Sequence, residues 1–401
     1  MAKSPAKRKL EKKGWTSTFM LIGEAKVNEY TYRINEKSEK SDWIYNTLNL
    51  GVDCGDMGTV YAELMGGYGS ERDNVLYVHG IKEVDGRKQD DFENKFTIDW
   101  DDRENESVLE EIGDMCFITV GLEKDKKGNT FAKKFLSPYD AIEYVKEHLE
   151  TGTVVNVKGN LKYSKYMDSV QVKKEITSIF LSKADDRSKY AAKFVQTMLL
   201  KKDSIGKPDK DKGIIPIYGT VLDYTKMWGK KEVKCFVPYE KTFEYEIDLT
   251  NRELVEKAIA KVFKVKKGCT EITFEGDLTE SGALITTTED DIPQDIKDLI
   301  EIGIYTVEEA LAKCTESTSK EKRMILRKPV IKMVGEEGSK TPVIQKFEEK
   351  YSEDDLLLDF MLVDDEEDDD EDVPPFDTDE TEDDEVESDS AGSDDDWLSQ
   401  L

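Results

Sequence analysis

Two short stretches of sequence decide the fold: VNVKGNL at residues 155–161 and ITFEGDL at residues 272–278. In both, apolar residues alternate with polar ones, which is the pattern of a β-strand with one buried face. Apolar residues match at 155/272, 157/274 and 161/278, and a glycine matches at Gly159 and Gly276. A helical pattern precedes each stretch, so a helix-to-strand unit recurs along the chain.

The repeat extends outward to the strands that open each copy. Phe19, Leu21 and Gly23 match Ile215, Ile217 and Gly219. An opening strand ending near glycine, then further strands, a helix, a strand with glycine and a closing hairpin is the order of an OB-fold barrel. The sequence therefore predicts a mainly β fold with α insertions and two OB-fold-like barrels. Chance agreement between short β patterns is the alternative.

The remaining segments complete the predicted organisation. It comprises a basic N-terminal arm at 1–14, a first OB-like domain at 15–183, a helix and linker at 184–212, a second OB-like domain at 213–333, a C-terminal extension at 334–363 and a disordered acidic tail at 364–401. Lysine and arginine in the arm predict a disordered segment with weak phosphate affinity, with a solvated flank of no role as the alternative. The apolar stretch 356–362 is expected to dock as a hydrophobic peg or to complete a core.

Charge is distributed very unevenly. The net charge is −30, and the last 38 residues hold 21 of the 88 acidic residues and no lysine or arginine, which leaves −9 for residues 1–363. Binding of nucleic acid responds to the electrostatic potential within about 10 Å of the site, so the negative net charge of the chain does not exclude a basic groove. A tethered polyanion can occupy such a groove when it is empty, or meet a basic partner.

Signs of enzymatic chemistry are lacking in the sequence. It has neither a Walker pattern nor a dinucleotide glycine fingerprint, and its two histidines, His79 and His148, have no motif around them. Paired acids such as Asp90–Asp91 suit surface turns better than a magnesium site. The five cysteines, which are Cys54, Cys116, Cys235, Cys269 and Cys314, are widely spaced and indicate a reducing compartment. The sequence predicts no catalytic residue, metal, cofactor or membrane segment.

Basic residues interleaved with aromatic ones stand out on both predicted hairpins. The first set is Lys158, Lys162, Tyr163, Lys165, Tyr166, Lys173 and Lys174, and the second is Tyr224, Lys226, Trp228, Lys230, Lys231 and Lys234. Lysines follow phosphates while rings stack on exposed bases, which suits single-stranded nucleic acid of any sequence. The alternative is that the rings point into the barrels and the lysines are ordinary exposed residues.

The stretch WIYNTLNLGVDCG at 43–55, the strand and loop at 59–68 and the hairpin at 158–181 resemble single-stranded DNA-binding proteins of large tailed bacteriophages. The resemblance covers most of residues 15–183. It implies OB folds that coat single-stranded DNA in replication and recombination in the cytoplasm of an infected bacterial host. It also implies an acidic tail that recruits replication proteins.

The tail ends in a tip similar to the acidic-hydrophobic tip of bacterial single-strand binding proteins. The residues of this tip are Asp394, Asp395, Asp396, Trp397, Leu398 and Leu401. Bacterial tips end in Pro-Phe, whereas Ser399 and Gln400 precede the terminal leucine here. We therefore expect a non-enzymatic protein that binds single-stranded DNA, with a tail for autoinhibition and partner recruitment. The alternatives are an interaction protein whose tail mimics nucleic acid and targets a host DNA-binding factor, and an RNA-binding protein.

Overall fold

A computed structural model describes residues 8–12, 14–166, 169–229, 231–281, 321–335 and 339–362, with residues 294, 297, 300, 306 and 307. The chain is mostly β. It forms two compact units. The first unit comprises Gly14–Thr197 and Ile272–Gln345, and the second comprises Met1–Lys13, Met198–Glu271 and Lys346–Leu401.

Eighteen strands and three α-helices are defined among the described residues. The strands are β1 (Ser17–Lys26), β2 (Tyr32–Lys37), β3 (Trp43–Asp53), β4 (Thr59–Gly69), β5 (Val75–Val84), β6 (Arg87–Asp99), β7 (Ile118–Lys124), β8 (Thr130–Phe135), β9 (Val154–Tyr166), β10 (Ser169–Leu181), β11 (Ala191–Leu200), β12 (Ile214–Trp228), β13 (Lys231–Glu246), β14 (Cys269–Ser281), β15 (Glu321–Pro329), β16 (Ile331–Val334), β17 (Thr341–Ile344) and β18 (Lys346–Tyr351). The helices are α1 (Glu106–Leu109), α2 (Pro138–His148) and α3 (Arg252–Ala258), the last continued by a π-helical turn at Ile259–Phe263.

Five strands of the first unit close into a barrel. In the ring, β1 pairs with β3, β3 with β4, β4 with β10, β10 with β9, and β9 again with β1. The β4–β10 pair is parallel at Glu63 and Glu175, and the other four are antiparallel. This closed ring, with α2 entering the chain between β4 and β9, is the topology of an OB fold. The predicted fold class, mainly β with OB-fold-like barrels, is confirmed.

Alternation along the strands creates the barrel core. Leu48 and Leu50 of β3, with Val157 and Leu161 of β9, point inward and are almost fully buried. The helix predicted before residues 155–161 is confirmed as α2. It begins after Ser137, which accepts a hydrogen bond from Tyr139 N, and a proline occupies its first turn. Four residues on its inner face are buried: Ala141, Ile142, Tyr144 and Val145.

The two matched glycines occupy equivalent positions in β9 and β14. A Cβ added at Gly159 would lie 1.9 Å from Glu175 O and 2.7 Å from the Phe19 ring. One added at Gly276 would lie 2.3 Å from Ile325 O and 2.4 Å from the Phe194 ring. Both positions therefore require glycine, since a phenylalanine and a neighbouring strand approach the backbone.

The contact between Gly276 and the Phe194 ring corrects the predicted alignment of the two copies, because the equivalent contact in the first copy is between Gly159 and the Phe19 ring of β1. Phe194 lies in β11, so β11 corresponds to β1, and the match of 215–219 with the first opening strand was wrong. The order β11, β12, β13, α3, β14, β15 repeats the order β1, β3, β4, α2, β9, β10. The helix predicted within the segment 184–212 was also wrong, because Ala191–Leu200 form β11. Ala192, Phe194 and Gln196 are buried at every second position, and β1 supplies backbone partners.

The basic N-terminal arm is ordered where the structure describes it. Within the second unit, Arg8 N donates to Asp355 Oδ1 at 2.6 Å, Lys12 Nζ lies 2.7 Å from Asp223 Oδ1, and Leu10 is buried. Burial raises the pKa of Asp355, but hydrogen bonds from Arg8 and Ser352 outweigh it and hold that pKa below its ordinary value. The prediction of a disordered arm was therefore wrong for residues 8–12, because an acidic partner and an apolar site hold them.

No helix in the described part of the chain is long and apolar enough to cross a membrane.

Candidate nucleic-acid interface

Lysines of the first predicted set line the outer face of β9 and β10. Lys158 and Lys162 lie four residues apart on β9, and Lys173 lies directly opposite Lys162 on β10. All three side chains are exposed, while their neighbours Val157 and Leu161 point into the barrel. The strand alternation thus places three cations on one outer surface, which we call the barrel face.

Two glutamates on the barrel face contact these lysines. Lys162 Nζ lies 3.8 Å from Glu175 Oε2, and Lys173 Nζ lies 3.5 Å from Glu63 Oε1. The four side chains are between one third and one half exposed, so these pairs contribute little to stability. Phosphate oxygens can replace the glutamates as partners at small cost.

Two residues of the first set face the interior. Tyr163 is 5% exposed, and its hydroxyl donates to Gln196 Oε1 at 2.9 Å. Lys174 is 9% exposed and forms an ion pair with Glu280, which is 8% exposed. Their prediction as binding residues was wrong in this structure, since neither side chain reaches the outer surface.

The tip of the β9–β10 hairpin is only partly described. Lys165 is exposed near the end of β9. Tyr166 ends that strand, but its side chain and residues 167–168 lie outside the described part of the chain.

An aromatic side chain that the sequence prediction missed lies beside these lysines. Tyr61 of β4 is 38% exposed, and a Cβ added at Gly51 of β3 would lie 3.0 Å from its ring. The ring therefore lies across the outer surface of β3 and β4, the strands with which OB folds bind oligonucleotides. The signal was present, because Val60, Ala62 and Leu64 alternate inward and force Tyr61 outward.

The second predicted set lies on the β12–β13 hairpin of the second unit. Tyr224 is 49% exposed and meets Phe236 edge to face at 5.6 Å between ring centroids. Lys226, Lys231 and Lys234 are exposed, and Lys234 pairs with Glu232. Lys230 lies outside the described residues. This hairpin presents cations and an aromatic ring to solvent.

Trp228 is partly covered by the segment that precedes the acidic tail. The Phe360 ring lies 5.7 Å from the Trp228 ring, and Lys231 Nζ lies 6.0 Å from the Phe360 centroid. Leu356, nearby in sequence, is buried, so residues 353–362 pack within the second unit. The tip residues Asp394, Asp395, Asp396, Trp397, Leu398 and Leu401 lie outside the described residues.

Groups that could hold a metal are lacking in the described ranges, where no three or more His, Cys, Asp and Glu side chains converge suitably.

Comparisons with known proteins yield one family and a set of solved structures. The family model described as YorF matches residues 83–295. Wild-type single-stranded DNA binding protein from Thermus aquaticus is 10% identical, with a TM-score of 0.29, over 67% of this chain and 86% of that chain. A deletion mutant of that protein gives the same identity and TM-score over 67% of this chain and 88% of that chain. No curated protein matches the sequence.

Proposed function

This chain belongs to the YorF family, and we propose that it binds single-stranded DNA on the barrel face without regard to base sequence. The observation that carries the proposal is the arrangement of Lys158, Lys162 and Lys173 beside the exposed ring of Tyr61, on the outside of a closed OB-type barrel.

The chemistry of these side chains explains the expected lack of sequence preference. Lysine ammonium groups pair with phosphates, which are the same in every nucleotide. A tyrosine ring stacks on the π-face that every base offers, and such stacking contributes about 1–3 kcal/mol per base. Tyr224 and the lysines of the β12–β13 hairpin supply the same two kinds of contact in the second unit.

The direct test is fluorescence anisotropy with a labelled oligonucleotide of about 30 nucleotides, single-stranded or duplex, at about 50 and 200 mM salt. We expect tight, salt-sensitive binding of single strands of any sequence and weak binding of duplex. Absence of binding, also in protein ending at residue 363, would favour an interaction protein whose acidic tail mimics nucleic acid. A ribose preference at equal length would favour RNA.

The glutamates on the barrel face provide a test that should raise affinity. Replacing Glu63 and Glu175 by glutamine leaves Lys173 and Lys162 without acidic competitors for phosphate. We expect affinity for single-stranded DNA to rise about three- to tenfold at 50 mM salt, and the gain to shrink at 200 mM. Glu110→Gln/Glu111→Gln, two exposed acids elsewhere in the first unit, serves as the control. An equal gain there would attribute the effect to net charge.

We further propose that the protein coats single-stranded DNA in replication and recombination and that residues 364–401 regulate it. With 21 acidic residues and no basic ones, that tail competes with phosphates for the same lysines. Its tip, from Asp394 to Leu401, then recruits replication proteins when DNA displaces it.

Removal of the tail should therefore tighten DNA binding. We expect a protein ending at Val363 to bind single-stranded DNA about tenfold more tightly at 50 mM salt, with a smaller gain at 200 mM. Anisotropy titrations of both proteins measure this directly. Equal affinities at both salt concentrations would eliminate autoinhibition while leaving the barrel face as the binding site.

A further inference from the structure

The β7–β8 hairpin carries a second cluster of positive charge. Residues 118–135 contain five lysines and two acids, for a local net charge of +3 on a chain whose net charge is −30. The lysines are Lys124, Lys126, Lys127, Lys133 and Lys134, and all are exposed. Phe131 of β8 is 57% exposed among them.

Both acids of this hairpin are engaged by groups other than its lysine side chains. Asp125 Oδ1 accepts hydrogen bonds from the backbone N–H groups of Asn129 and Lys127, each at 2.8 Å. The contacts from Asn129 are the main cause that lowers the pKa of Asp125. Glu123 Oε2 accepts from the Tyr144 hydroxyl at 2.6 Å. The acids thus fix the turn and anchor it to α2.

The lysines nearest the barrel are partly used in local contacts, whereas those at the turn project from it. Lys134 Nζ lies 2.7 Å from Asp114 Oδ1, and Lys133 Nζ lies 4.9 Å from the Tyr144 ring centroid. Lys124 precedes the turn, and Lys126 and Lys127 lie within it, all with exposed side chains. The turn therefore presents three cations close together, a good match for a polyanion.

The sheet places this turn in line with the barrel face. β7 runs parallel to β10, with Thr119 opposite Ser178 and Gly121 opposite Phe180, so the turn lies beyond the end of β10. Lys173 lies near the start of β10, and Lys158 lies opposite Ser178. At about 3.3 Å per residue, the cations extend over at most about 40 Å along β10.

We propose that the β7–β8 hairpin is a second phosphate-contact site, which holds the single-stranded DNA that extends beyond the barrel face. This inference rests on the proposed function. Lys124, Lys126 and Lys127 pair with phosphates there, and Phe131 stacks on a base. The site lengthens the footprint of one protein molecule beyond what the barrel alone contacts.

The test compares oligonucleotides of about 8 and about 30 nucleotides, the first within the range that one OB fold covers. In the full chain with Lys124→Gln/Lys126→Gln/Lys127→Gln, we expect affinity for the long strand to fall at least tenfold and affinity for the short strand to change less than twofold. The salt slope for the long strand should become shallower by about 2, since each phosphate contact contributes roughly 0.7. Phe131→Ala should independently weaken binding of the long strand at least about fivefold.

A matched control removes the same charge elsewhere. Lys261→Gln/Lys264→Gln/Lys266→Gln changes three exposed lysines of the second unit and should leave both affinities within twofold. Unchanged long-strand binding in the hairpin variant, with wild-type binding intact, would overturn the hairpin site and leave the proposed function standing. Failure of wild-type protein to bind either strand would overturn both. Polyglutamate serves as a probe for an acidic protein partner. If the Lys124→Gln/Lys126→Gln/Lys127→Gln protein lost binding to polyglutamate but kept its binding to DNA, the partner would be an acidic protein and the inference would be overturned.

Discussion

We expect that replacing Lys158, Lys162 and Lys173 together by glutamine will lower affinity for single-stranded DNA by about 100-fold at 0.1 M salt. Each phosphate contact contributes roughly 0.7 to the salt slope for single strands, so three lost contacts reduce the slope by about 2. Extrapolated from 1 M salt, where the electrostatic contribution is small, that difference corresponds to about two decades at 0.1 M. Anisotropy titrations across this range measure the affinity and the slope together.

Two features of the same experiment distinguish the barrel face from general charge. All three lysines are exposed and their pairs with glutamate are weak, so thermal unfolding should stay close to that of the wild type. The Lys261→Gln/Lys264→Gln/Lys266→Gln protein has the same net charge and should keep its affinity. A comparable loss in both triple variants would show that DNA responds to overall charge, and the barrel face would lose its role.

Lys174→Ala should unfold the first unit far more readily than any exposed lysine substitution. The change leaves the Glu280 carboxylate buried without its cation, and breaking such a pair from one side costs about 3–5 kcal/mol of unfolding free energy. Glu280 Oε2 keeps a hydrogen bond from Tyr61 N at 3.2 Å, which compensates only in part. Urea denaturation followed by circular dichroism measures the free energy of unfolding.

Matched variants separate burial from charge. Lys162→Ala removes a partner of Glu175 that is half exposed, so it should change the free energy of unfolding by less than about 1 kcal/mol. The double variant Lys174→Met/Glu280→Leu removes both charges and should recover much of the loss. If Lys174→Ala were as stable as Lys162→Ala, the buried ion pair would not exist in solution.

The sequence carried enough information to predict the barrel but not the strand that opens its second copy. Gly159 and Gly276 lie in similar short stretches of sequence, because a phenylalanine ring packs against the backbone at each glycine. The stretches themselves do not show which phenylalanine makes the contact, since Phe194 lies 82 positions before Gly276. Ile215 and Ile217 matched Phe19 and Leu21 of the first opening strand only because alternating apolar residues occur in every half-buried strand.

Site residues were predictable as a surface but not one by one. Lys173 and Lys174 are adjacent, so a strand must turn one outward and the other inward. Sequence alone does not show that the inward one, Lys174, meets Glu280 more than 100 residues away. The same alternation assigns Tyr163 to the interior and Tyr61 to the exterior, and attention to lysine-rich segments alone missed the latter.

The bond between Arg8 and Asp355 has a consequence for how the chain is made. All five barrel strands lie between residues 17 and 181, so the ribosome completes them early. At roughly 5–20 residues per second, Asp355 follows residue 181 only after about 10–35 s of further translation. The nascent barrel thus has time to fold before Asp355, the hydrogen-bond partner of Arg8 in the basic N-terminal arm, has been synthesised.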